Sequence, residues 1–243
     1  MGHARLTQAY AGTGWISLDP RDYVQNKIFR EGFYEPEVWE ALSTWAISEE
    51  VVWDIGAHIG GFAIRAGLDA RVRQVHCFEP DPRQVEVLSD NLSMNRGRFA
   101  VHPFALSDHR EIRPMTRGPA GNLGQTSLIP DIPNHQDVFD VPCDTIDDLV
   151  FGQRIPSPTL MKIDVEGWEW FVLQGAQRLL SEKPPKAIVF EDHCQPDGRP
   201  TDTKLLDFLQ KLGYESQRIL RRSGKIEGNE NFLAVRPLGR HER

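Results

Sequence analysis

A chain of 243 residues, 40% hydrophobic and 26% charged, is long enough for one sizeable core and has the balance of an ordinary globular protein. A formal net charge of −7 argues against a general nucleic-acid footprint, which needs a basic face, while leaving room for a local patch at Arg218, Arg221 and Arg222. No apolar run reaches the roughly 18–20 residues of a membrane span, the N-terminus lacks a charged-then-apolar leader, and Cys77, Cys143 and Cys194 read as reduced thiols of a cytoplasmic protein, not as a disulfide framework or zinc site.

Residues 1–32 are weakly periodic and read as an N-terminal arm with one short strand or helix. Pro36 suits a first helical position, with Glu37 and Glu40 near the positive end of the helix dipole. Val38, Trp39, Leu42, Trp45 and Ala46 then form an apolar stripe, and its tryptophans read as packing residues. The run Val51-Val52-Trp53-Asp54-Ile55 predicts a buried strand, broken into a turn by Gly56 and Gly60. Such a turn at the carboxyl end of a first strand is where doubly wound sheets hold nucleotide-like cofactors. A helix follows over 61–68.

A second buried strand, 74–80, ends in Glu79. That acid falls about twenty residues after the glycine turn, the spacing of a carboxylate that grips ribose hydroxyls. Asp81 caps the next helix, whose buried face is Val85, Leu88, Leu92 and Met94. Residues 99–106 read as one edge strand, because Pro103 cannot donate to a ladder. Ser107 and Asp108 follow it, where an adenine ring would sit. Residues 109–143, broken by Gly118, Gly121, Gly124, Pro130 and Pro133, read as a loop-rich insertion with a hairpin ending at 138–141 and as a lid over the site.

After a short capped helix at 144–149, Leu160-Met161-Lys162-Ile163 predicts a strand ending in Asp164 and Glu166. Two acids at i and i+2 on an extended tip point the same way. Gly167 releases a helix carrying Trp168, Phe171, Val172, Leu173 and Ala176. The strand 187–190 ends in Glu191, Asp192 and His193. An amphipathic helix stopped by Gly213 and two strands, 216–220 and 231–235, complete a single domain over 33–237 with a tail at 238–243. Strands alternating with helices predict an α/β architecture, a mostly parallel doubly wound sheet. The turn is GxxxG and lacks the third glycine of a pyrophosphate site, so an adenosyl cofactor without phosphates fits better than a dinucleotide.

Four stretches resemble the FkbM-type S-adenosylmethionine-dependent methyltransferases: Gly32 to Pro36, Val52 to Gly60, Phe78 to Pro80, and above all the Lys-Ile-Asp-Val-Glu-Gly run from Lys162 with its following helix. Ala105 to Asp108, Thr145 to Asp147 and Asn231 to Val235 fit in the same order, so the resemblance covers about residues 20–237. His58 departs from the family's usual asparagine, and 109–143 matches poorly. The resemblance implies the Rossmann-like seven-stranded class I methyltransferase fold, with the last strand inserted antiparallel. It implies S-adenosyl-L-methionine as cofactor, held by Tyr34, Glu35, Asp54, Gly56, Ala57, His58, Gly60, Glu79, Pro80, Ala105, Ser107 and Asp164, and methyl transfer to a hydroxyl of a sugar, lipid or small natural product. Asp164 and His193 are then the candidate bases, with Glu166 and Glu191 orienting the substrate. No metal is assigned, although Asp164, Glu191 and His193 offer an alternative divalent-ion set. A nicotinamide-dependent oxidoreductase and a cofactor-binding module without catalysis are the competing readings.

Overall fold

A computed structural model describes residues 5–119, 121–129 and 137–237. The expected 238–243 tail, with Pro130 and Pro133 of the insertion, lies outside the described residues.

The chain opens with an antiparallel hairpin, β1 (Leu6–Tyr10) and β2 (Gly14–Leu18), then α1 (Tyr23–Glu31) and α2 (Pro36–Ser43). This is more structure than one short element, and it is not peripheral: Ile16, Leu18 and Ile28 are buried in the core. There follow β3 (Glu50–Ile55), α3 (Gly61–Gly67), β4 (Val72–Phe78), α4 (Pro82–Ser93) and β5 (Phe99–His102). β6 (Ala105–Leu106) precedes the insertion, which holds β7 (Glu111–Thr116) and most of β8 (Val138–Asp144). The chain then runs through α5 (Ile146–Phe151), β9 (Leu160–Ile163), α6 (Glu169–Gln174), α7 (Gln177–Glu182), β10 (Ala187–His193), α8 (Lys204–Lys211), β11 (Glu215–Arg218) and β12 (Asn229–Val235).

Seven strands make the central sheet in the order β11-β12-β10-β9-β3-β4-β5. Every pairing is parallel except those of β12, which runs antiparallel between β10 and β11. This is the class I methyltransferase strand order, with the last strand inserted as the resemblance implied. The order reverses between β3 and β9, so the ligand crevice opens beyond their carboxyl ends.

β3 is buried along its whole length, as a central parallel strand should be. Val51, Trp53 and Ile55 face the layer formed by α5–α8, whereas Val52 faces the layer formed by the hairpin and α1–α4. Each fully buried side chain of this size contributes about 1.5–3 kcal/mol. The same alternation aims Asp54 toward the second layer. Register pairs it with Lys162 on β9, which points the same way.

The expected strand over 99–106 is two. Pro103 ends β5 at the sheet edge, and β6 leaves to pair with β8 in a separate three-stranded sheet with β7. The insertion is built on an antiparallel β7–β8 pair, as the expected hairpin ending at 138–141 required. On α4, Leu88 and Leu92 are buried as expected, but Met94 is exposed; Gln84 and Asn91 are buried in its stead, Asn91 because it bonds Ile59 and Ser17 of neighbouring segments.

Candidate active site

The glycine turn is shaped by what lies opposite it. Gly56 has φ +83°, and a Cβ there would stand 1.8 Å from the carbonyl oxygen of Asp164. Only glycine fits where the ends of β3 and β9 touch this closely. Gly60, at φ +89°, likewise has no room for a side chain beside Leu88.

Two connected cavities meet at this turn. The first is lined by Ile55, Phe78, Glu79, Pro80, Gln84, Phe104, Ala105 and Leu106, and is roofed by Leu123, Gly124, Thr126 and Leu128 of the insertion. The described part of the insertion thus covers the cleft. The second cavity is lined by Tyr34, Glu35, Trp39, Ala57, Phe62, Lys162 and Glu191 among others. Gly56, His58, Gly124, Asp164 and Glu166 line both.

Glu79 holds the mouth of the first cavity. Its Oε2 accepts from the His58 amide at 2.9 Å and its Oε1 from the Asp81 amide at 2.9 Å, which leaves acceptor capacity on each oxygen. Burial pushes its carboxyl up to about 7 against those two hydrogen bonds. Asp54 lies beneath the turn, fully buried, with neither carboxylate oxygen hydrogen-bonded. Burial pushes it up to about 6. His58, at φ +49°, also leaves a buried ring nitrogen, Nε2, without a partner, and burial lowers its imidazole's pKa. His58 lines both cavities, and its unpartnered ring nitrogen beside a cradle a Cβ would fill is a feature that a polar ligand satisfies, whereas Asp54 lines neither cavity and has Lys162 as its counter-charge.

The opposite wall is acidic. Asp164, Glu166 and Glu191 each bring a carboxylate oxygen within 4.8 Å of the others. The tip carrying the first two is not extended: Glu166 has φ +54° and Gly167 φ +91°, so the chain curls. Glu169 braces the curl by accepting from the amides of Val165 at 2.9 Å and Gly167 at 3.4 Å, and Ser127 Oγ donates to the Glu166 carbonyl at 2.7 Å. Burial, with Asp164 next in weight, pushes both Glu166 and Glu191 well above the usual carboxylate range. Such a trio can accept and hold protons, face a cation, or ligate a divalent metal through one oxygen each.

Lys162 is the residue sequence reasoning passed over. Its buried ammonium lies 2.9 Å from Asp164 and 3.6 Å from Asp54. Burial alone would lower its pKa, but the two carboxylates outweigh that and the net shift is upward. The signal was present: a lysine inside the apolar run Leu160–Ile163. Arg221 and Asn231 were also missed as site residues. They bond the two oxygens of Glu35, each at 2.9 Å, and so fix an acid that enters from α2 in the left-handed conformation. Arg218 and Arg222 bond Glu230 and Glu40, so the basic patch is spent on internal acids.

Four predicted site residues line neither cavity: Asp54 and Gly60, which belong to the framework of the turn, and Ser107 and His193, which are placed elsewhere. Ser107 is buried off the cavity: its hydroxyl donates to Asp108 and accepts from the Trp168 indole at 3.1 Å, because β6 turns away from the main sheet. His193 does not reach the acid trio. It is exposed at the far end of β10, bonded to Asn229, and it lines a neighbouring groove that joins the site at Glu191. It therefore also drops out of the alternative metal set, in which Glu166 takes its place.

The family described as Methyltransferase FkbM domain matches residues 54–216. The hexuronic acid methyltransferase AglP of Haloferax volcanii is 27% identical over 77% of this chain and 73% of its own length. The 31-O-demethyl-FK506 methyltransferase FkbM of Streptomyces tacrolimicus is 28% identical over 53% of this chain, which spans 60% of that protein. Among solved structures, a methyltransferase FkbM from Methylobacillus flagellatus aligns at 20% identity and TM-score 0.48, covering 77% of this chain and 44% of the other. TYW2 of M. jannaschii, solved with AdoMet, aligns at 14% identity and TM-score 0.46, covering 97% and 86%.

Proposed function

The chain belongs to the methyltransferase FkbM domain family, and from that premise we propose that it uses S-adenosyl-L-methionine to methylate a hydroxyl of a sugar or small natural product. The observation that carries this is the juxtaposition of a backbone-braced acid, Glu79, and a glycine cradle on one wall with three converging carboxylates on the other.

The chain's residues fit the cofactor. Glu79 has acceptor capacity for ribose hydroxyls, Phe78, Ala105 and Leu106 offer apolar surface for an adenine ring, and His58 holds an unsatisfied ring nitrogen at the turn. Bound there, S-adenosylmethionine supplies a methyl group already activated on a sulfonium. Asp164 then takes up the proton of the acceptor hydroxyl, and a positioned base of this kind contributes about 10²–10⁴-fold. Lys162 orients Asp164 through their ion pair. Glu166 and Glu191, held toward their protonated forms, can donate hydrogen bonds to the acceptor oxygen. The insertion excludes water by covering the adenosyl side.

The relatives named above act on a hexuronic acid and on demethyl-FK506, which supports oxygen as the accepting atom. Among the described residues no helix is long and apolar enough to cross a membrane, and the three unpaired cysteines support the reading of a cytoplasmic enzyme. The internal pairing of Arg218, Arg221 and Arg222 supports a small-molecule or glycan acceptor over nucleic acid. The trio's 4.8 Å convergence also favours a second reading, in which a divalent cation held by Asp164, Glu166 and Glu191 positions the acceptor. Turnover with radiolabelled S-adenosylmethionine before and after chelation separates the two: a metal-free mechanism survives chelation, and a metal-assisted one is restored only by added cation. If neither S-adenosylmethionine nor S-adenosylhomocysteine binds, the proposal fails.

A further inference from the structure

Beside the cofactor cleft lies an open groove of about 360 Å³. It joins the cleft at Glu191, which lines both. Its apolar lining residues include Trp170 and Phe171 from α6 and Leu205 from α8. Its acidic lining residues include Asp192 beside Glu191 on β10 and Asp202 on the loop before α8. Asp192 is half satisfied: Oδ1 accepts from the His193 amide at 2.8 Å, while Oδ2 is buried and has no hydrogen-bond partner. A carboxylate oxygen withdrawn from water without a donor is costly. Lys204 is the lone lysine or arginine among the lining residues, and its ammonium lies 3.7 Å over the Trp170 ring.

We propose that this groove is the acceptor site and that it takes a sugar without an acid group. The assignment rests on the methyltransferase reading above and goes beyond it by naming the site and its charge selectivity. A pyranose presents CH-rich surface to apolar side chains and hydroxyl edges to carboxylates, and this groove is lined by both kinds. A hydroxyl that reaches Glu191 arrives at the acid trio, because Glu191 belongs to it. A carboxylate on the acceptor would instead face Asp192 and Asp202, and like-charge juxtaposition rejects a ligand more strongly than it costs the correct one. Burial pushes Asp192 up only to about 6, so it is ionised at pH 8. The selectivity is opposite to that needed for the hexuronic acid named for the Haloferax volcanii relative.

The test uses the full chain at pH 8 with radiolabelled S-adenosylmethionine and matched pairs of methyl glycosides: glucose with glucuronic acid, galactose with galacturonic acid, mannose with mannuronic acid. The neutral member of at least one pair is expected to be methylated with kcat/KM at least about tenfold above its acid partner. The Asp192→Asn, Asp202→Asn double variant, checked for an unchanged melting temperature and unchanged cofactor affinity, is expected to narrow that gap to less than about threefold. Preference for the acids, an unchanged gap in the double variant, or turnover of no glycoside by protein that binds the cofactor each overturns the proposal. Failure to bind the cofactor at all would overturn the methyltransferase reading as well.

Discussion

The two walls of the cleft are built by opposite means. The adenosyl wall is local: Gly56, His58, Gly60, Glu79 and Asp81 lie within 26 residues, and Glu79 is held by backbone amides. The acid wall is assembled from β9, β10, α2 and β12, and its charges are balanced by side chains both near and far in sequence, Asp164 by Lys162 two residues away and Glu35 by Arg221 across 186 positions. Backbone-held groups keep their place whatever the neighbouring side chains are. Side-chain networks let four acids share one site, but each member depends on the others.

Substitutions on the two walls should therefore fail differently. The largest effect is expected at their seam. Gly56→Ala places a Cβ against the Asp164 carbonyl at a positive φ, and should lower stability by at least about 4 kcal/mol with loss of cofactor binding. Gly12→Ala, at φ +86° with nothing within 4 Å, should cost only about 1–2 kcal/mol in the same denaturant titration. On the acid wall, Lys162→Met leaves Asp54 buried without its counter-charge and should cost about 3–5 kcal/mol. Adding Asp54→Asn should return much of that loss, and no recovery in the double variant would contradict the pairing.

Asp164→Asn should lower kcat by about 10²–10⁴-fold with a much smaller loss of cofactor affinity, a split that stopped-flow and calorimetry can resolve. Glu79→Ala should do the reverse, weakening cofactor binding by about 1–3 kcal/mol. The smallest effect is that of pH. The ionised Glu79 is the form that accepts ribose hydroxyls, and burial raises its carboxyl to about 7. Affinity should accordingly fall as pH drops through 7, by about tenfold between pH 8 and pH 6. A Glu79→Gln variant should show a markedly shallower profile over that interval.

The same contrast explains what could be read from the sequence. The glycine turn, Glu79, the strand order and the antiparallel last strand were legible because each follows from short-range pattern or from a motif-bearing resemblance. Glu166 and Glu191 were legible as strand-end acids, although the curl that brings them together depends on Glu169 and Ser127, which no spacing rule connects. Ser107 misled because its position after an apparent strand placed it at the crevice, whereas Pro103 diverts the chain into a second sheet. His193 misled because β10 runs three residues past Phe190, carrying it beyond the trio to the groove. Lys162 shows the remaining limit: a charge inside a buried strand announces a partner but does not say which.

The most direct measurement is a calorimetric titration of the full chain with S-adenosylmethionine, repeated on Glu79→Ala and Asp164→Asn. One site with a dissociation constant of roughly micromolar order, weakened in the first variant and retained in the second while turnover is lost, is the expected result. Absence of binding, or binding of NADH in its place, would contradict the account.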